Sequence, residues 1–254
     1  MKSIVYIGLD DTDVLGEPPG TGRVARELAQ RLEDLGFGRS LGVTRHQLLV
    51  DPRIPYTSHN SSLCIGIETE AALAAFAIPC TEFIEKHAKD GADPGLCILP
   101  RHSLNQELTD FGWRATKEVL TMGAAAALAN KNNIFLKELG GTGGGIIGAL
   151  AGAALRASGN NGRFVELRGI REIDGAITAG DLKSCTGIEG VLDLDGNPLA
   201  PTELIESYGW IRPSMQQGTV VLRVQPIISK DGTNIWEPVE NRKDKPKKKQ
   251  EALK

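Results

Sequence analysis

The 254 residues carry a formal net charge of −3, with 41% apolar and 24% charged residues, so the chain reads as globular with no global pull towards nucleic acid or a membrane surface. Aromatic residues make up 5%, too few for a base-stacking platform, and the four cysteines form no CxxC pair, which argues against a zinc ribbon. The first residues enter a strand without a signal-peptide pattern, and no apolar stretch is long enough to span a bilayer, so a cytoplasmic location with reduced thiols and no membrane partner is expected.

Ile4, Val5, Ile7 and Leu9 predict a buried strand that ends on Asp10, Asp11 and Asp13. A Gly/Pro loop, Gly16 to Gly22, leads to a helix from about Arg23, with Val24, Leu28, Leu32 and Leu35 on one face. Leu41–Val50 predicts a second strand, and 51–60 a polar loop with two prolines. Leu63–Glu68 is the next strand. Helices follow at Glu70–Ala77 and Glu82–Ala88, separated by Pro79. After a turn at Gly91–Gly95 come a strand at Leu96–Leu99, helices at Ser103–Phe111 and Val119–Asn130, and a strand at Ile134–Leu139; Gly112–Thr116 is ambiguous. A glycine run at 140–148 opens an apolar helix, Ile146–Ala157. Arg163–Gly169, Val191–Leu194 and Thr219–Val224 read as strands, and Asn241–Lys254 is a lysine-rich tail without apolar periodicity.

A strand end followed by a flexible loop and a helix N-terminus is where ligands bind in α/β sheets. Asp10, Asp11 and Asp13 suit Mg²⁺, which takes one or two carboxylates and keeps several waters. Strand alternation sends Asp10 and Asp11 to opposite faces, and a charged turn with an Asp cap is the competing reading. Thr21, between Gly20 and Gly22, suits either a phosphate contact or a plain helix cap, and Arg23 either a phosphate contact or a solvated helix position. The run holding Gly141, Thr142, Gly143, Gly144 and Gly145 can offer backbone N–H groups to an anion. It matches G-x-G-x-x-G but not a Walker A loop, and a hinge with close helix packing is the alternative. His59 and Asn60 stand in the polar loop, flanked by Arg45 and Arg53. His46, His87 and His102 form no ligand spacing.

Four stretches occur together in one order: Gly8-Leu9-Asp10-Asp11-Thr12-Asp13; Ile54-Pro55-Tyr56 with Asn60; Gly144-Gly145-Ile146-Ile147-Gly148-Ala149-Leu150; and Phe164-Val165-Glu166-Leu167-Arg168. This order resembles the archaeal agmatine–cytidine ligases that modify isoleucine tRNA. The resemblance implies a mixed α/β (α+β) fold. A discontinuous kinase-like domain (1–60 and 160–235) would bind ATP and Mg²⁺, with an inserted ferredoxin-like domain (61–159) and a basic flexible tail (236–254). It further implies an ATP-dependent ligase or kinase-like transferase acting on a small or nucleoside-like acceptor. Asp10, Asp11 and Thr21 would serve catalysis, and Gly20, Gly22, Arg23, Asn60 and residues 141–145 would hold the nucleotide. The family's OB-fold and zinc ribbon have no counterpart here. Gly20-Thr21-Gly22 replaces its Cys-Thr-Thr, and Thr57-Ser58-His59 its basic residues before Asn60. An RNA-modification role would therefore call for a separate RNA-binding partner, and a non-catalytic ATP sensor is a further alternative.

Overall fold

The computed structural model describes residues 2–54, 59–229 and 232–239. It is a mixed α/β protein that divides into two compact units. The first comprises Met1–Leu167 with Met215–Gly218, and the second Arg168–Ser214 with Thr219–Lys254.

In the first unit, β1 (Ser3–Asp10), α1 (Thr21–Asp34), β2 (Arg39–Gln47), β3 (Ser61–Thr69), α2 (Ala77–His87) and β4 (Gly95–Pro100) form a ferredoxin-like split βαβ arrangement. The strand order is β4-β1-β3-β2, every pair antiparallel. The remaining elements are α3 (Gln106–Ala115), α4 (Met122–Lys131), β5 (Phe135–Glu138), α5 (Gly145–Ala157) and β6 (Arg163–Glu166). β5 extends the sheet beyond β4, and β6 beyond β2.

Both faces of this sheet are covered, which explains why β1 is nearly all apolar. Val5, Ile7 and Leu9 pack with Val24, Leu28 and Leu32 of α1 and with Ile84 of α2. On the other face Tyr6 joins the core built on α3, α4 and α5. α5 is buried from Gly148 to Arg156, because it lies between the sheet and α3.

The compact units fall differently from the division expected from the sequence. The ferredoxin-like topology is present, but Ser3–Pro100 builds it, and it includes the acidic strand itself. Residues 61–159 supply both hydrogen-bonded neighbours of β1, so the 60/61 boundary cuts through one sheet. Pro79 does not separate two helices. It sits in the first turn of α2, where a missing N–H costs nothing, after a tighter helical turn at Leu73–Phe76. The ambiguous 112–116 stretch continues α3 to Ala115, and α4 begins at Met122, capped by Thr121, rather than at 119.

The second unit contains β7 (Ala176–Thr178), α6 (Ala179–Cys185), β8 (Gly190–Leu192), β9 (Leu204–Glu206) and a hairpin whose long strands are Thr219–Ile228 and Asn234–Pro238. The first hairpin strand pairs in parallel with β8, the second with β9. The tail from 240 onwards lies outside the described residues. Among the described residues no helix is long and apolar enough to cross a membrane.

Candidate functional site

A cavity of about 380 Å³ opens within the first unit. Asp10, Asp11, Asp13, Thr21, Asn60, Thr142, Gly144 and Gly145 line it, joined by Asp93 and Gly148. Leu48, Ile54, Ala115, Val119, Leu120, Met122 and Ile147 add apolar lining, beside the polar Arg53, His59 and Glu118.

The acidic end follows from the register. Asp10 closes β1 opposite Gly95 on β4, and the Asp93 N–H donates to the Asp11 carbonyl at 3.2 Å. Asp11 then leaves the strand with φ +51°, a left-handed conformation that Asp tolerates better than most residues. This turn overrides strand alternation, so Asp10 and Asp11 reach the same cavity rather than opposite faces.

α5 crosses directly over this strand end, and glycines permit it. A Cβ on Gly8 would lie 2.0 Å from the Ala149 carbonyl oxygen, one on Gly95 would lie 2.1 Å from the Gly145 carbonyl carbon, and one on Gly148 would overlap Asp10 Oδ2. The glycines at the start of α5 are thus packing positions as well as a loop.

Burial, and then the charge of Asp11, push the Asp10 carboxyl up to about 8. Burial, with Asp93 and Asp13 adding repulsion, pushes Asp11 up to about 6. Carboxylates held this close favour a proton or a cation among them. Asp13 and Thr21 play a different local part. Thr21 Oγ1 accepts from the Thr12 N–H and donates to Asp13 Oδ1, both at 3.2 Å, tying the acidic turn to the first residue of α1. The helix cap is Gly20, not Thr21.

Several expected ligands stand outside the cavity or are already engaged by neighbouring groups. Arg23 points along the exposed face of α1 and pairs with Glu27 at 2.6 Å, an ordinary i,i+4 contact. Gly20, Gly22, Gly141 and Gly143 are absent from the cavity lining. Asn60 lines it, but its Nδ2 donates to the Leu49 carbonyl at 2.6 Å. Arg53 is held by both carboxylate oxygens of Asp51. His46 is a core residue, bonded to Thr44 Oγ1 and Asn161 Oδ1, and burial drives its pKa down to about 4. Pro55 and Tyr56 lie outside the described residues.

Sequence reasoning missed Asp93. The carboxylate accepts from Thr142 Oγ1 at 2.5 Å, the Gly143 N–H at 2.7 Å and the Gly144 N–H at 3.0 Å. The available signal was its position in the turn just before Pro94 and β4, beside the strand that carries the aspartates. Among the described residues no three His, Cys, Asp or Glu side chains converge as a metal cage. The donor set still suits a hard cation held by one or two carboxylates with water, since Asp10 and Asp11 offer oxygen donors in surroundings crowded with like charge from Asp13 and Asp93.

Fold and cavity together define an α/β protein with a carboxylate-ended, apolar-walled cleft at the crossing of a helix over a strand end. No family model matches the chain. A stretch of 155 residues is 30% identical to an uncharacterised protein of Methanocaldococcus jannaschii, covering 59% of this chain and 49% of that one. Among solved structures, the complex of TiaS with an isoleucine tRNA and ATP is similar at a TM-score of 0.52 and 25% identity, covering 60% of this chain and 36% of that one. A tRNA fluorescent labelling enzyme matches at a TM-score of 0.52 and 26% identity, covering 59% and 36%. Apo TiaS, an agmatidine synthetase for isoleucine tRNA, matches at 0.51 and 25% over 59% and 35%. The chain therefore has a TiaS-like fold over about 60% of its residues, and it spans about half the length of the curated relative.

Proposed function

We propose that the chain is an ATP- and Mg²⁺-dependent enzyme of the ligase or phosphotransfer type, related to TiaS and acting on a small or nucleoside-like acceptor. The observation that carries this reading is that Asp10 and Asp11 line one cavity of about 380 Å³ together with Gly144, Gly145 and Gly148 at the start of α5. The TiaS neighbours support it, because they were solved with ATP and with the ATP analogue AMPCPP beside agmatine and tRNA. A base within RNA is accordingly one acceptor to test.

The residues divide the work. Asp10 and Asp11 would hold the cation, while the tie between Thr21 and Asp13 keeps their turn in place. The chemistry Mg²⁺ would supply there is neutralisation of phosphate charge. The N-terminal end of α5 presents the positive end of its dipole to the same space. The apolar wall of Leu48, Val119, Leu120 and Ile147 offers contact area for a base and excludes water from the reacting centre. Catalysis of this class is mostly positioning and electrostatics.

Calorimetric titration of ATP with Mg²⁺ tests the reading. Wild type should bind, and Asp11→Asn should bind at least about tenfold more weakly, the effect of losing one charge-assisted contact. Asn is suited to the left-handed φ at this position, so the variant isolates the charge. Absence of binding in wild type defeats the proposal, and unchanged affinity in Asp11→Asn defeats the assignment of the cation to that residue.

A further inference from the structure

We infer that Asp93 is a specificity-determining residue of this cleft, an internal carboxylate that occupies the anion nest of the glycine run and makes the site refuse a triphosphate that arrives without its cation. The inference rests on the nucleotide reading above and extends it to which form of the nucleotide is admitted.

The glycine run is shaped around this side chain. Gly141 and Gly143 have φ of +61° and +86°, a pattern that turns successive N–H groups towards one point. A Cβ on Gly141 would stand 2.8 Å from the Asp93 Cγ, and one on Gly144 would stand 3.1 Å from Asp93 Oδ2. A Cβ on Gly143 would stand 2.6 Å from the Glu138 Cδ. Side chains at these positions would therefore collide with carboxylates already in place. Both Asp93 oxygens are engaged: Oδ1 accepts from Gly143, and Oδ2 accepts from Gly144 and Thr142. The backbone N–H of Asp93 meanwhile binds the carbonyl of Asp11, so the nest and the acidic turn are joined through this one residue.

Two consequences follow from charge and from donor count. The N–H groups of Gly143 and Gly144 cannot serve a phosphate while Asp93 holds them. A phosphate brought up beside Asp93 also meets Asp11 and Asp13 around the same cavity, both of the same sign. Metal-free polyphosphate is thus opposed twice, by occupancy and by repulsion. The cation-complexed nucleotide carries its own neutralising charge and meets less opposition. A structural cap for α5 would account for the three hydrogen bonds, but it predicts no preference between the two forms of the nucleotide.

The test uses the full chain with inorganic tripolyphosphate and ATP as probes, each titrated calorimetrically in EDTA and in Mg²⁺. Asp93→Asn keeps the shape of the side chain and removes its charge. Asp93→Ala removes both acceptor oxygens. The expected result is a gain of roughly tenfold in metal-free affinity for both probes in both variants, the size expected from deleting one nearby like charge. The ratio between Mg²⁺ and EDTA affinities for ATP should fall accordingly. Amide exchange at Gly143 and Gly144 in the ligand-free protein should quicken in Asp93→Ala. No gain in metal-free affinity in either variant overturns the inference, as does unchanged exchange at both glycines. Failure of wild type to bind ATP with Mg²⁺ strikes the nucleotide reading instead, because the tripolyphosphate and exchange readouts need no nucleotide.

Discussion

Gly148 on α5 and Asp10 at the end of β1 occupy one another's space so closely that a methyl group on Gly148 would overlap Asp10 Oδ2. The helix therefore forms the floor of the acidic pocket by lacking a side chain. Gly148→Ala would normally gain up to about 1 kcal/mol from helix propensity. Here overpacking is expected to outweigh that gain and lower stability by about 2 kcal/mol. Gly123→Ala is the control, since Gly123 lies in α4 with nothing within 4 Å of the added methyl, and a gain of up to about 1 kcal/mol is expected. Urea unfolding of the two variants against the parent measures both, and a Gly148→Ala protein as stable as the control removes the packing argument.

The pH dependence of stability divides into two windows of opposite sign. Asp10 and Asp11 have folded pKa values of about 8 and about 6, above the ordinary 3.8, so the folded state holds protons that the unfolded state has released. Their contribution is greatest at low pH and is lost as pH rises through those folded values. His46 acts in reverse. Its folded value of about 4, below the ordinary 6.5, gives stability that is present above 6.5 and lost as pH falls towards 4. Between about pH 7 and 8 the Asp10 effect dominates among these three. Ligand-free protein should therefore lose stability across that interval, and Asp10→Asn should flatten the curve. Denaturant titrations at half-unit steps, with EDTA present, read the slope directly.

Arg156 is 4% exposed and lies over the Phe164 ring at 4.4 Å. Its Nη2 donates to the Leu41 carbonyl, while Nε and Nη1 have no hydrogen-bond partner. A guanidinium so placed has lost more solvation than its contacts return. Arg156→Met, which keeps the bulk, is expected to equal or exceed the parent in stability. Arg156→Ala, which leaves a void, should lose about 2–4 kcal/mol. Thermal unfolding of both variants decides the matter, and equal losses would mean that the charge itself is stabilising.

Thr21 offers a test of the turn that carries the aspartates. Thr21→Val preserves shape and removes the oxygen that bridges the Thr12 N–H and Asp13. A loss of about 1–2 kcal/mol is expected from the two bonds, one of which leaves a buried amide without its partner. Binding of Mg²⁺, followed by calorimetry, should weaken in step with the looser turn.

Local chemistry made much of this legible in the sequence. The apolar run of β1, the amphipathic face of α1 and the glycine run opening α5 each stand on periodicity or composition. The meeting of Asp10 with Gly148 was foreshadowed by the pairing of an acidic motif with a later glycine run. What stayed hidden depends on pairing order. Nothing in residues 61–100 says that β3 and β4 will flank β1, and without that order Asp93 reads as one more turn residue. Asp11 was legible as a candidate, but the face it takes was not, because a single left-handed φ reverses what alternation predicts. The glycines at 141, 143 and 144 were read as open donors, whereas a carboxylate 50 residues earlier fills their nest.

The antiparallel order β4-β1-β3-β2 has one more consequence. β1 is made first, yet both of its hydrogen-bonded neighbours and the helix that roofs it come later in the chain. The pocket gathers Asp10, Asp93 and Gly148 from the beginning, middle and end of the first unit. No N-terminal piece that stops short of Gly148 contains all three, so a ligand seated there acts as a clasp between the sheet and the helix packed on it. Occupancy of the cleft and integrity of the first unit become one equilibrium, and a bound ligand would slow local opening at β1, β4 and α5 together.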